Sequence, residues 1–109
     1  MKSTNYRLGY RAERAAVKQL EEEGYTAART AGSHSPFDVV AFRKSGARFI
    51  QVKSSRKFSN SIIDNAMKPL WEISREMPEG CSAELWVKVN RKPFMKYKIR
   101  GGLRLVKLE

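Results

Sequence analysis

Cysteine and histidine are almost missing from this chain of 109 residues: Cys81 and His34 are the single copies. One thiol excludes a disulfide framework and a cysteine-based metal site, and reads as a small hydrophobe in a reducing compartment. One histidine, set between two serines in a loop, does not easily reach the geometry of a Ser/His/Asp triad, so it reads as an exposed loop residue ahead of a general base. No apolar run approaches the ~20 residues of a membrane span, and the N-terminal MKSTNYRLGYRAER has no apolar core of signal-peptide length. Repeats, low-complexity tracts and linker-like boundaries are missing as well, and neither "SGARF" nor "IRGGLR" has the context of a phosphate loop. The expectation is one compact domain over residues 1–109, soluble, intracellular and without a membrane partner. Acids are the last shortage: 11 Asp+Glu stand against 22 Lys+Arg, a formal charge of +11. The usual partner of such a surface is a polyanion, with nucleic acid ahead of an anionic membrane.

What is present divides into eight elements. Residues 6–23 read as a helix with Val17, Leu20 and the alanines on its apolar stripe and Gly24 at the C-terminal cap position. A strand over 25–31 and a loop over 31–36 lead into a hairpin over 37–55 with "KSGA" as its turn. Residues 61–77 place Ile62, Ile63, Ala66, Met67, Leu70 and Trp71 at helical spacing, and Pro69 must kink that helix or begin its second half. "AELWVKVN" alternates as a strand, "FMKYKI" follows the turn "NRKP", and "LRLVKL" is a last strand. The order αβββαβββ makes the class α/β with a central mixed β-sheet flanked by helices. Trp71 is expected in the core. Trp86, on the less apolar face of its strand, is expected at the surface, in an interface beside Phe94 and Met95.

The hairpin carries polar groups inside a hydrophobic pattern. Side chains alternate along a strand, so Gln51 and Lys53 share one face. A four-residue turn would set Arg43 opposite Arg48, Val40 opposite Gln51 and Asp38 opposite Lys53, while Val39, Ala41, Ile50 and Val52 form the core face. A cross-strand Asp–Lys ion pair, worth little if exposed, would also account for Asp38 and Lys53. Glu13 weighs against it, because it lies on the apolar stripe of the first helix, four residues before Val17, and is aimed at the sheet. Two acids, an amide and a lysine make an oxygen-rich pocket suited to Mg²⁺ or Mn²⁺.

The helix "GYRAERAAVKQLEEEGY", the loop "RTAGSHSPFDVVAF" and the strand "FIQVKSSRK" together resemble the archaeal Holliday junction resolvases of the PD-(D/E)xK superfamily, over residues 9–57. The resemblance implies a restriction-endonuclease-like fold and a metal-dependent endodeoxyribonuclease that acts on branched DNA, four-way junctions first, as a homodimer. Glu13, Asp38 and Gln51 would hold the metal, Lys53 would polarise the attacking water, and Ser33 would lie near the scissile phosphate. Arg11, Arg14, Arg29, Ser33, Ser55, Arg56 and Lys57 would meet the DNA backbone, and the clusters "RKFSN" and "NRKPFMKYKIR" are the further phosphate contacts. Place of action would be the cytoplasm, at the nucleoid or as a viral protein in its host. Phe37 departs from the motif's proline, and Gln51 stands where a second metal-binding carboxylate is expected. An amide oxygen still ligates a cation but brings no charge, so metal affinity should fall. Two other readings remain: a nuclease of the same fold for other DNA, of restriction or repair type, and a catalytically inactive nucleic-acid-binding module.

Overall fold

The computed structural model describes residues 4–30, 35–99 and 105–108. Its elements follow the expected order: α1 Thr4–Glu22, β1 Thr26–Arg29, β2 Val39–Arg43, β3 Gly46–Ser55, α2 Asn60–Ser74, β4 Cys81–Val89, β5 Met95–Ile99 and β6 Leu105–Lys107. Residues 103 and 104, expected in the last strand, lie outside the described residues, as do 31–34 of the expected loop.

All six strands join one mixed sheet in chain order, antiparallel at every step except β3–β4, which is parallel. The parallel step is the one that α2 bridges, as a parallel pair requires. Helix α1 buries Ala12, Ala16 and Leu20, a stripe of spacing four, against Val39, Ala41, Ile50, Val52 and Trp86. Helix α2 buries Ala66 and Leu70 on the other face, against Ala83, Leu85, Val87 and Val89. Small alanines on both stripes let the helices approach the sheet closely.

Helix α2 runs unbroken through Pro69, which is exposed. The missing amide leaves the Asn65 carbonyl to solvent without interrupting the buried stripe. Trp71 is half-buried, with the Arg75 guanidinium 4.9 Å from its ring centroid, so the core of α2 is Ala66 and Leu70 and not Trp71. Trp86 also departs from expectation: it is fully buried, 5.2 Å from the Phe94 ring, and donates from Nε1 to Glu84. Strand β4 is central and covered on both faces, so its even-numbered residues are interior too.

The hairpin register differs from the expected one. Arg43 pairs with Gly46, leaving Lys44 and Ser45 as a two-residue turn, and Val39 pairs with Ile50. The shift is by two residues. An even shift preserves side-chain faces, so Val39, Ala41, Ile50 and Val52 are the core face as anticipated.

Candidate active site

Strand β2 begins at Val39, and Asp38 immediately before it is half-buried. Its amide donates to the Ile50 carbonyl at 2.8 Å, its carbonyl accepts from the Thr30 amide at 3.0 Å, and its Oδ2 accepts from the Val52 amide at 2.8 Å. Asp38 thus bonds to both residues that flank Gln51. Its carboxylate takes the place a backbone carbonyl would hold in a regular ladder, which fixes the acid at the start of β2.

Gln51 lies on the face opposite Ile50 and Val52 and pairs with Leu85 of β4. Its Oε1 is buried and is the single such side-chain atom, among the described residues, without a hydrogen-bond partner. Buried polar atoms are rarely left unpaired, so an orphaned oxygen beside a carboxylate calls for a cation or a donor. Two positions on, Lys53 shares the parity of Gln51 and is exposed.

Glu13 reaches the same region from the α1 face. It is directed at the sheet, as its place on the stripe predicts, and its partner is Arg29 rather than a neighbour on its own helix: Arg29 Nε donates to Oε1 at 2.8 Å. Arg29 stands opposite Val39, which puts it under α1. Its guanidinium also stacks 4.4 Å from the centroid of Tyr10, one turn before Glu13. Sequence reading passed over Tyr10; an aromatic three residues before a stripe acid was the available signal.

Electrostatics tie these groups together. Burial pushes the Asp38 carboxyl above the ordinary carboxylate value, and the nearby Glu13 charge adds to this, while the Val52 amide, Lys53 and Arg29 pull it down less than enough. Glu13, Arg29 and Lys53 are therefore close enough to act on Asp38, although Gln51 and Lys53 share one face of the sheet and Glu13 and Arg29 the other. No three His, Cys, Asp or Glu side chains gather among the described residues. The carboxylates of Asp38 and Glu13 and the unpaired Gln51 amide oxygen are each hard oxygen donors, the type that suits a divalent cation. Ser33 and His34 lie outside the described residues.

The basic residues divide in two. Arg14 joins Arg29 along a recess beside Val17, Lys18 and Glu21. Arg11 lines a larger groove with Ser54, Lys88, Asn90, Arg91 and Lys92. Asn90, in the left-handed region at φ 50°, donates from its amide to Ser55 O at 3.1 Å and from Nδ2 to Arg56 O at 2.9 Å. The start of the second basic cluster is thereby held against the start of the first, through Asn90 and the backbone of Ser55 and Arg56. The Ser55 hydroxyl is engaged within its own turn, donating to Lys57 O at 2.7 Å.

The fold has a solved counterpart, and the sequence matches a family model. The structure of Hjc, a Holliday junction resolvase from the archaeal hyperthermophile Archaeoglobus fulgidus, superposes with a TM-score of 0.63 at 24% identity, covering 93% of this chain and 83% of that one. At that identity the likeness speaks for the fold. The family model of archaeal Holliday junction resolvases matches residues 4–103, from the helix that carries Glu13 to beyond β5. Matched over that span, the chain belongs to the archaeal Holliday junction resolvase family, nucleases of branched DNA.

Proposed function

We propose that the chain is a Mg²⁺-dependent endonuclease that nicks four-way DNA junctions as a homodimer, with Mn²⁺ able to replace Mg²⁺ and residues 1–109 acting as one nuclease domain. The observation that carries the reading is Asp38, bonded to both neighbours of an orphaned Gln51 oxygen and within electrostatic reach of Glu13, Lys53 and Arg29.

Asp38, Gln51 and Glu13 would hold the ion, which supplies a hydroxide near neutral pH and charge against the phosphate oxygens. Lys53 carries an exposed positive charge on the same face as Gln51, where negative charge develops on the phosphate. Arg29 orients Glu13 through the 2.8 Å bond and presents its guanidinium edge to the incoming backbone. Ser33 lies beside the scissile phosphate in this reading. Arg11, Arg14, Ser55, Arg56 and Lys57 position the DNA without reading its sequence. One such site per chain and two strands to cut call for a two-fold dimer. A DNA substrate puts the work in the cytoplasm, on nucleoid or viral DNA.

Gln51 favours one competing reading, a binding module that no longer cuts. A strand-nicking assay on a four-way junction and a matching linear duplex, with Mg²⁺, Mn²⁺ or EDTA, separates the two. Paired metal-dependent nicks on the junction are expected, falling at least about 100-fold in Lys53→Ala while junction binding changes little. Equal cutting of both DNAs removes the junction preference, and salt-sensitive binding without cleavage establishes the inactive module.

A further inference from the structure

Arg29 can serve the site only if its guanidinium is held still, and the backbone does little to hold it. It is the last residue of β1, an edge strand with β2 as its one neighbour in the sheet. Its side chain is 29% exposed and that of Glu13 21%, so burial does not lock the pair. An ion pair with that much access to water is worth less than the rotamer freedom an arginine gives up to make it. The bond is also single. Nε of Arg29 donates to Glu13 Oε1 at 2.8 Å, and among the described residues Glu13 Oε2 accepts no hydrogen bond. Elsewhere in this chain an arginine meets a carboxylate with two nitrogens, Arg48 bonding Glu84 from Nε and Nη2 at 2.8 Å each. That two-bond fork is the stronger arrangement, so a guanidinium free to turn would close on both Glu13 oxygens.

Tyr10 supplies the constraint. It lies three residues before Glu13 on α1, on the same side of the helix. Its ring centroid is 4.4 Å from the Arg29 guanidinium carbon and 5.9 Å from that of Arg14. Both distances are within reach of cation–π attraction, and Arg29 has the closer contact. Tyr10 is 39% exposed, so little of the core depends on it. We propose that Tyr10 is a positioning residue for strand cleavage: its ring holds the Arg29 guanidinium in the orientation that bonds Glu13 through Nε alone, which keeps one Glu13 oxygen outside the ion pair. Both groups then meet the DNA backbone already oriented, and groups oriented beforehand lose less on reaching the transition state. The inference rests on the nuclease reading of the site.

The test joins three measurements: single-turnover nicking of a four-way junction by excess protein in Mg²⁺, junction affinity in EDTA, and nitrogen–proton correlation spectra of the arginine Nε–H groups. Tyr10→Phe keeps the ring, Tyr10→Leu keeps bulk without a π face, and Tyr10→Ala removes both. The nicking rate should stay at the wild-type value in Tyr10→Phe. It should fall about three- to tenfold in Tyr10→Leu and Tyr10→Ala, the size of a partly exposed cation–π contact, with junction affinity changed by less than about twofold. Solvent exchange of the Arg29 Nε–H, identified by its disappearance in Arg29→Lys, should quicken in Tyr10→Leu and Tyr10→Ala and not in Tyr10→Phe. An unchanged rate or unchanged Arg29 exchange in Tyr10→Ala overturns the proposal. So does a Tyr10→Phe rate as low as that of Tyr10→Ala, which would make the hydroxyl the working group. Affinity lost at an unchanged saturated rate also overturns it, and would make Tyr10 a DNA contact. The nuclease reading fails separately, by a wild-type protein that makes no nicks, and the exchange rates then still report whether Tyr10 holds Arg29.

Discussion

Glu84 is almost wholly buried, yet it is charged. Arg48 donates to it from Nε and Nη2 at 2.8 Å each, Ser82 Oγ at 2.7 Å and Trp86 Nε1 at 3.0 Å, two donors to each carboxylate oxygen. Burial by itself pushes this carboxyl up, but the bonds from Arg48, Ser82 and Trp86 and the Arg48 charge outweigh it and hold it below its ordinary value of 4.5. Arg48 is pushed up in turn, chiefly by the bond to Glu84. A carboxyl depressed in the folded state contributes stability that is present above its unfolded value. That stability is lost as pH falls below about 4.5 and through the lower folded value. Wild-type melting temperature should therefore decline through that acid range more steeply than that of Glu84→Gln. At neutral pH, Glu84→Gln should cost about 3–5 kcal/mol, because the Arg48 charge loses its buried partner. Calorimetry across pH reads both, and parallel pH profiles would remove Glu84 as the source. Arg48 lies five residues before Lys53 on β3, roughly 16 Å along the strand, so nicking per folded molecule should survive.

The β2–β3 hairpin is the element that carries the site, and its turn is held from outside. Gly46 has φ 149°, and a Cβ built there would lie 1.8 Å from the Gly80 carbonyl oxygen. That same oxygen accepts from the Ala47 amide at 3.0 Å, pinning the loop before β4 to the start of β3. Gly46→Ala should cost about 3 kcal/mol, from the strained backbone and the displaced loop together, seen as a lowered urea midpoint. A loss below about 0.5 kcal/mol, the range of ordinary surface changes, would mean that the loop yields easily. Sequence could not choose between a two- and a four-residue turn in "KSGA", since the backbone of Gly80, in the loop before β4, closes on the turn from outside. The faces were legible nonetheless, because period-two alternation survives an even slip. So were the eight elements. The Glu13–Arg29 pair was not, since it joins a helix to a strand through a contact 16 residues apart in the chain. Trp86 and Glu84 were misread or missed for one reason: parallel pairing with β3 makes β4 central, and no local pattern announces a partner strand 34 residues upstream.

At the scale of the whole molecule, the excess positive charge matters less than its continuity. Asn90 ties the β4–β5 turn to Ser55 and Arg56, just past Lys53, so one basic surface runs from the candidate catalytic lysine to Arg91 and Lys92. Lys88 supports the turn by donating to Lys92 O at 2.6 Å, a bond that needs only the backbone of Lys92. Arg91 and Lys92 are exposed, so replacing both with alanine should leave the fold intact and remove two charges from the path of the DNA. Each phosphate contact releases counterions on binding, with a slope of about −0.9 in log affinity against log salt. Arg91→Ala/Lys92→Ala should therefore flatten the wild-type salt dependence of junction binding by about 1.8. Weakening should be uniform across junction sequences, since phosphate contacts carry no base information. An affinity loss with the slope unchanged would mean that the turn shapes the groove without touching phosphate. An unchanged slope and an unchanged affinity would confine DNA binding to the recess around Arg14 and Arg29.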